Sequence, residues 1–148
     1  RKLAAVTGRI FVDMDGYIEQ KTGRTVREMF DLWGESGFRK QERAAAAELS
    51  SRKGLVIATG GGTMLDPVNA AALRAGGRVV LLDLPLGCIL ERLRGDTARP
   101  LLRGGPQAVE ALYRRRMPVY RSVAHETVTV APGDTPEQVA AAVLRRIQ

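Results

Sequence analysis

Asp13 and Asp15 stand two positions apart in the stretch FVDMDGYIE. They follow the short run Arg9–Val12, which Gly8 precedes and which predicts a strand. Two carboxylates just past the end of a strand can hold a magnesium ion and contact a substrate hydroxyl separately. The alternative is a turn in which Asp13 only caps the next helix. This stretch alone leaves both interpretations open.

Three successive glycines, Gly60, Gly61 and Gly62, follow the apolar run Leu55–Thr59. Such a continuous run is typical of a strand that is buried on both faces. Glycines at the end of a buried strand let backbone amides approach a ligand closely. A tight turn is the alternative, but a turn rarely needs three glycines in succession. The stretch ATGGGT therefore favours a ligand-binding loop.

Two arginines stand in segments that could bind an anion. Arg39 precedes Glu42 by three positions in FRKQE, but an exposed pair at this spacing is worth only about 0.2–0.5 kcal/mol and predicts no function by itself. Arg99 lies in GDTARPLLRGG (Gly95–Gly105), which has turn residues at both ends and predicts a loop. Loops that carry arginine close over the transferring group in phosphoryl-transfer enzymes. A surface loop with incidental charge explains Arg99 equally well.

The composition is typical of a single globular domain, with arginine in excess over lysine. The 148 residues include 19 Arg against 4 Lys, for a net charge of +7. This excess indicates an anionic small ligand or nucleic acid, although a coding bias toward Arg and Ala would also produce it. The run LYRRRMPVYR could contact nucleic acid, but Pro118 interrupts its predicted helix, so its charges should point in several directions.

Other residue types exclude several classes of protein. The single cysteine, Cys88, rules out an internal disulfide and fits a reducing cytosol. The single histidine, His125, excludes a zinc site with several histidines. No apolar run approaches the roughly 20 residues that a membrane-spanning helix needs.

Helical and extended patterns alternate along the chain. RKLAAVTG predicts the tail of a helix, and the Thr25–Glu28 capping box begins a helix that Gly34 closes. The other predicted helices run from Glu35 to Gly54, from Asp66–Pro67 to about Ala75, over Pro85–Arg94 and Pro106–Arg121, and onward from Thr135–Pro136. The apolar run Arg78–Leu84 predicts a second strand that, like Leu55–Thr59, is buried, and Thr127–Val130 predicts a further strand. This alternation predicts an α/β fold with a parallel sheet between helices. Ligands bind at the carboxyl ends of such strands, so both the aspartates and the glycines should lie at one edge.

Six motifs, in this order, resemble the shikimate kinase family over essentially the whole chain. They are FxDxD at Phe11–Asp15, G-x-T-[VI]-x-E-x-F at Gly23–Phe30, GE-x-x-FR-x-x-E at Gly34–Glu42, ATGGG at Ala58–Gly62, RPLL at Arg99–Leu102 and R-x-P-x-Y at Arg116–Tyr120. The resemblance implies a three-layer P-loop kinase fold, with a mainly parallel five-stranded sheet flanked by helices, in a single domain over residues 1–148. It places the acceptor-binding region at about 15–45 and the lid at about 95–105.

In that family a P-loop, GxxGxGK[ST], joins the first strand of the sheet to the helix whose tail resembles RKLAAVTG. Neither the motif nor that strand occurs in this sequence. We therefore expect the polypeptide to have an upstream segment. We also expect residues 1–148 alone to neither bind ATP usefully nor turn over, because the loop that cradles the phosphates would be absent.

The resemblance implies transfer of the γ-phosphoryl group of ATP to the 3-hydroxyl of shikimate, with magnesium, in aromatic amino-acid (chorismate) biosynthesis. It implies a cytoplasmic enzyme, monomeric, without nucleic-acid or membrane partners. Asp13 would help to hold magnesium, and Asp15 would bind the ring hydroxyls and orient or deprotonate the attacking one. The other implied roles are carboxylate binding by Arg39 and Arg116, backbone contacts from Gly60, Gly61 and Gly62, phosphate binding by Arg99, adenine contact by Arg92, and lining of the acceptor pocket by Phe30, Phe38 and Glu42.

Three other functions compete with this one. Gluconate kinase belongs to the same P-loop group, but the set of acceptor residues argues against it. A non-catalytic interaction module would explain the missing P-loop but not the intact acceptor set. A nucleic-acid binder would explain the charge of +7 but would leave the ATGGG and DMD motifs without a use.

Overall fold

A computed structural model describes residues 1–94 and 104–148, which form two compact units, Arg1–Val79 and Val80–Gln148. Each unit contains one pair of parallel strands together with helices. The first unit comprises α1 (Lys2–Thr7), β1 (Ile10–Asp13), α2 (Met14–Thr22), α3 (Val26–Ser50), β2 (Leu55–Ala58), a 3₁₀ turn (Thr63–Leu65) and α4 (Pro67–Gly76). The second comprises β3 (Val80–Asp83), α5 (Leu86–Arg94), α6 (Gly105–Val123), β4 (Glu126–Thr129) and α7 (Pro136–Ile147). These elements confirm the predicted α/β class.

The two strands of the first unit end at the same edge of their sheet. They pair in parallel, with Ile10 opposite Leu55 and Asp13 opposite Ala58. The aspartates lie at the end of β1, and the glycines follow the end of β2. The two groups therefore leave the sheet side by side. This arrangement confirms the prediction that the two motifs share an edge.

The range of helix α2 was not predicted from the sequence, where a helix capped by Asp13 was only one of two alternatives. Its nine residues contain Gly16, a poor helix former, and bury only Met14 and Ile18, which are four positions apart. Two apolar positions in such a short segment give too little periodicity to identify a helix. The helix forms because Met14 and Ile18 pack into the core of the unit, where both are almost fully buried.

The predicted interruption of α3 is confirmed. Thr25 and Glu28 form a reciprocal capping box at its start, and the backbone leaves the helical region at Gly34. Gly34 has φ 68° and ψ −178°, a conformation that favours glycine. The helix that resumes after Gly34 carries Phe38, Arg39 and Glu42, so this kink sets the direction in which those side chains leave the chain.

The burial predicted for two strands is wrong. β2 and β3 were expected to be buried on both faces, but the four residues of β2 are only half-buried, and Leu82 in β3 is 44% exposed. In the described ranges each strand has one hydrogen-bonded neighbour, so its other edge remains open. The apolar runs therefore predicted the positions of the strands correctly. The strand residues are, however, less buried than these runs led us to expect.

The second unit is built on the parallel pair β3–β4, with Val80 opposite Glu126. Helix α6 continues through Pro118 to Val123, so the predicted interruption at this proline is also wrong. Proline removes one backbone donor, but the helix retains its other hydrogen bonds and buries Val109 and Met117. The predicted start of α7 at Thr135–Pro136 is confirmed, with a capping box to Gln138. No helix in either described range is long and apolar enough to cross a membrane.

We expect Gly76→Ala to destabilise the first unit by about 1–3 kcal/mol, because α4 packs closely on the end of α3. A methyl group at this position would overlap the Ser50 carbonyl, with its carbon 2.9 Å from the carbonyl carbon. The better helix propensity of alanine, at most about 1 kcal/mol, does not offset this overlap with backbone. Urea unfolding would measure the loss. Gly77→Ala is the control, since Gly77 is extended with nothing within 4 Å of an added methyl; equal stability of the two variants would contradict the expectation.

Candidate functional site

Asp13 ends β1 and occupies the N-cap position of α2. Its side chain nevertheless makes no capping hydrogen bond, and the residue is exposed. The interpretation of Asp13 as only a helix cap is therefore not supported by its contacts. The carboxylate lies at the helix N-terminus, where the partial positive charge of the backbone favours an anion, and it is open to a cation from solution.

Asp15 lies in the first turn of α2 and is half-buried. Burial raises the pKa of its carboxyl, and the negative charges of Asp13, Glu42 and Glu19 raise it further. Arg39 acts in the opposite direction and lowers it. The net effect is a carboxylate with a raised affinity for a proton, as a group that accepts a proton from a hydroxyl requires.

Arg39 and Glu42 form a pair one turn apart on α3. Arg39 Nη1 donates to Glu42 Oε1 over 2.9 Å, and Glu42 is only 1% exposed. A weaker contact of 3.5 Å joins Arg39 Nη2 to Glu35. The sequence alone predicted a solvent-exposed pair that contributes little to stability. Because Glu42 is buried, the pair is instead a stronger, partly desolvated contact. Burial alone would lower the pKa of Arg39, but the hydrogen bonds and charges of Glu42 and Glu35 raise it above its ordinary value. Arg39 therefore stays cationic.

The second oxygen of Glu42 binds a residue that the sequence did not single out. Thr63 Oγ1 donates to Glu42 Oε2 over 2.8 Å, and Asn69 Nδ2 donates to the Thr63 carbonyl over 3.1 Å. Thr63 and Asn69 are both almost completely buried. The one available signal was the position of Thr63 directly after the three glycines. Asn69 gave no signal, because an asparagine inside a helix pattern usually faces solvent.

The glycines at the end of β2 make room for the side chains on α2 and α3. A Cβ added to Gly60 would lie 3.3 Å from Asp15 Oδ1 and 3.7 Å from Glu42 Oε2. A Cβ on Gly62 would overlap the guanidinium of Arg39, 2.6 Å from its Cζ. Neither Gly60 nor Gly62 has a positive φ, so close packing and not backbone conformation explains the residue type at these two positions. Asp15 and Arg39, predicted for the same ligand, thus both border this loop.

Aromatic rings lie beside the Arg39 guanidinium. The Phe30 and Phe38 rings stack with their centroids 4.8 Å apart, and the Arg39 guanidinium carbon lies 5.6 Å from the centroid of Phe38. Phe38 is buried, whereas Phe30 is partly exposed. The exposed part of the Phe30 ring therefore offers an apolar surface beside Phe38, and the lining of an acceptor pocket by these rings stays a prediction.

The other predicted site residues lie in the second unit or outside the described residues. Arg92 is exposed on α5, and Arg116 is half-buried on α6. The buried Nε of Arg116 has no hydrogen-bond partner among the residues that the structure describes. Arg99 and most of the predicted lid at about 95–105 fall outside these residues. The expectation that Arg39 and Arg116 serve the same carboxylate stays a prediction.

The described residues contain no cluster of three or more His, Cys, Asp or Glu side chains that could hold a metal by itself. Magnesium usually takes one or two carboxylates and fills its other positions with water and substrate phosphates. The exposed Asp13 carboxylate beside Asp15 fits a contribution of this kind. A metal cage made only of protein ligands does not fit these residues.

Comparison with known proteins gives consistent matches to one family. The family model described as Shikimate kinase matches residues 1–148. The shikimate kinase of Halorhodospira halophila is 41% identical over the whole of this chain and 84% of its own length. The shikimate kinase of Aromatoleum aromaticum is 49% identical over 77% of this chain. The matched part covers 66% of the length of that relative. A solved structure of shikimate kinase from Acinetobacter baumannii in complex with shikimate superposes with a TM-score of 0.91 at 40% identity, covering 99% of this chain and 83% of its own.

Proposed function

This chain belongs to the shikimate kinase family, and we propose that its protein transfers the γ-phosphoryl group of ATP to the 3-hydroxyl of shikimate, giving shikimate 3-phosphate and ADP. One observation carries the proposal beyond family membership. The carboxylate of Asp15 and the guanidinium of Arg39 both border the Gly60–Gly62 loop, at the edge where β1 and β2 end. A small carboxylated polyol needs these two groups, a cation for its acid and a carboxylate for its hydroxyls.

Arg39 is proposed to bind the carboxylate of the acceptor. Its pairing with the buried Glu42 limits its motion, and its guanidinium lies against Gly62, in the space that a side chain at position 62 would fill. Arg116 is proposed to serve the same carboxylate, on the strength of the R-x-P-x-Y motif and of a buried Nε without a partner in the described ranges. Gly60, Gly61 and Gly62 would add backbone contacts to the ring substituents.

Asp15 is proposed to orient the attacking hydroxyl and to accept its proton. As the hydroxyl oxygen bonds to the γ-phosphorus, the bond from that phosphorus to the bridging oxygen of ADP breaks, and the proton passes to the Asp15 carboxylate. The raised pKa of Asp15 supports this role, since a base of very low pKa would hold the proton too weakly. Positioning and charge stabilisation supply most of the catalysis in this type of reaction.

Binding of the phosphate donor is proposed to involve Asp13, Arg92 and Arg99. Asp13 would help to hold magnesium, which neutralises charge on the phosphates when it is bound. Arg92 would contact the adenine, and its exposure on α5 leaves its side chain accessible to a ligand. Arg99, from the RPLL motif, would neutralise charge that develops during transfer.

We further propose a cytoplasmic, monomeric enzyme of chorismate biosynthesis, folded as a single domain and working without nucleic acid. The free thiol of Cys88 supports a reducing compartment. The fit of the acceptor residues to a small acid supports a metabolic role over nucleic-acid binding.

Release of ADP by the full-length protein in the presence of ATP and magnesium, with shikimate or gluconate as acceptor, tests the proposed function. We expect turnover that depends on shikimate and a background rate with gluconate. Turnover of gluconate at a comparable rate would assign the protein to a different branch of small-metabolite kinases. DNA-binding that weakens steeply with salt, together with no turnover of either acceptor, would favour the nucleic-acid interpretation.

A further inference from the structure

Glu42 is a buried carboxylate that is held at both of its oxygens. Oε1 accepts from Arg39, and Oε2 accepts from the hydroxyl of Thr63. A carboxylate bound at one oxygen could still rotate about its last side-chain torsion, which is broad. The hydrogen bond at the second oxygen fixes that rotation. It therefore also fixes the direction in which Glu42 Oε1 faces the Arg39 guanidinium.

Thr63 is itself held from two sides. Its amide donates to the Gly60 carbonyl over 3.2 Å, and its own carbonyl accepts from the Asn69 side chain on α4. Thr63 therefore connects three elements of the first unit: the glycine loop, α3 through Glu42, and α4 through Asn69. None of the three buried side chains, Glu42, Thr63 and Asn69, is more than 1% exposed, so water does not compete for these bonds.

We propose that Thr63 is a positioning residue for the acceptor site, acting through Glu42 to hold the Arg39 guanidinium where it meets the acceptor carboxylate. The Thr63 hydroxyl would thereby contribute to the preference for a carboxylated acceptor without touching the acceptor. Asn69 supports it by holding the Thr63 main chain. This inference rests on the proposed function, because it assumes that Arg39 binds the carboxylate of shikimate.

A purely structural role for Thr63 makes a different prediction. If the hydroxyl only stabilised the fold, its loss would weaken the binding of every acceptor by the same factor. If it positions Arg39, its loss weakens only the binding that depends on the carboxylate. Shikimate and its neutral methyl ester, which has the same ring hydroxyls, separate the two cases.

Calorimetric titration of both ligands into wild type, Thr63→Val and Thr63→Ser provides the test. Valine keeps the shape of threonine and removes the hydroxyl, whereas serine keeps the hydroxyl. We expect Thr63→Val to bind shikimate about tenfold more weakly and the methyl ester within about twofold of wild type. Thr63→Ser should restore shikimate binding to within about threefold. Thr7→Val is the matched control, because the Thr7 hydroxyl bonds only to carbonyls within α1.

Three results would overturn the inference while leaving the proposed function intact: unchanged shikimate affinity in Thr63→Val, an equal loss for both ligands, or no recovery in Thr63→Ser. If wild type binds no shikimate, the proposed function and this inference fail together. If Thr63→Val does not fold, Asn69→Ala replaces it in the same comparison, with a loss expected for shikimate alone. An equal loss for both ligands in Asn69→Ala would likewise contradict the inference.

Discussion

The Asp15→Asn variant is expected to turn over shikimate about 10²–10⁴-fold more slowly than wild type while being more stable at pH 7. Asparagine keeps the size of the side chain and can still contact a hydroxyl, but it cannot accept the proton. It also removes a negative charge that the carboxylates of Asp13, Glu42 and Glu19 repel. Loss of activity with a gain of stability would distinguish a functional carboxylate from a structural one.

The pH dependence of this gain follows from the raised pKa of Asp15. In the folded protein the pKa of Asp15 lies above its ordinary value of 3.8, so the folded state holds the proton to a higher pH than the unfolded chain does. The contribution of Asp15 to wild-type stability therefore falls as pH rises through the interval between the two pKa values, and this full penalty persists at neutral pH. The stability advantage of Asp15→Asn should be largest at pH 7 and should shrink as pH falls through that interval.

ADP release and urea unfolding on the same preparations would check both parts of this prediction. Asp31→Asn is the matched control, since Asp31 is an exposed aspartate on α3, outside the site. That variant should keep wild-type turnover and show no comparable gain. An Asp15→Asn variant that retains turnover within about threefold of wild type would remove Asp15 from the mechanism.

The Gly62→Ala variant is expected to bind shikimate about 10–100-fold more weakly and to lose about 1–3 kcal/mol of stability while still folding. The added methyl group would meet only the guanidinium of Arg39, the distal end of a flexible side chain. Arg39 can swing away because the methyl group meets only the end of a flexible side chain, so the fold survives. The cation then leaves the position from which it meets a carboxylate, and the buried Glu42 loses the hydrogen bond from Arg39. A single methyl group at the backbone would thus remove the effect of an arginine that stands 23 positions earlier in the sequence.

Calorimetry with shikimate would measure the loss of binding, and urea unfolding would measure the loss of stability. Gly77→Ala in the same unit is the control, because an added methyl group there meets nothing within 4 Å. It should bind shikimate as wild type does. Equal affinity in Gly62→Ala and wild type would mean that the position of Arg39 against the glycine loop has no role in binding.

Local signals in the sequence predicted most of the elements of the fold. Capping at Thr25 and the glycine at position 34 act within a few residues, so the sequence shows them directly. The shared edge of Asp13 and the glycine loop followed from a general rule of parallel sheets. Helix α2 was missed because tertiary packing of Met14 and Ile18, and not periodicity, determines it.

The site could be predicted from motifs but its interactions could not. The aspartates and the three glycines were placed correctly at one edge of the sheet, yet the sequence suggested an exposed Arg39–Glu42 pair where Glu42 is buried. The burial of Glu42 depends on the residues that α4 and the 3₁₀ turn cover. These elements lie more than 20 positions after Glu42 along the chain. The bonds of Thr63 and Asn69 depend on the same contacts, so no local pattern identifies them.

The most direct test of the acceptor site is to follow the backbone amide and arginine Nε resonances of the isotope-labelled protein by NMR while shikimate is added. We expect shifts concentrated at Asp15, Gly60, Gly61, Gly62 and the Nε of Arg39, with no comparable shifts on addition of gluconate. Such a pattern would show that this edge of the β1–β2 sheet binds the acceptor. Shikimate-dependent shifts that avoid these residues, or an equal response to gluconate, would contradict the assignment.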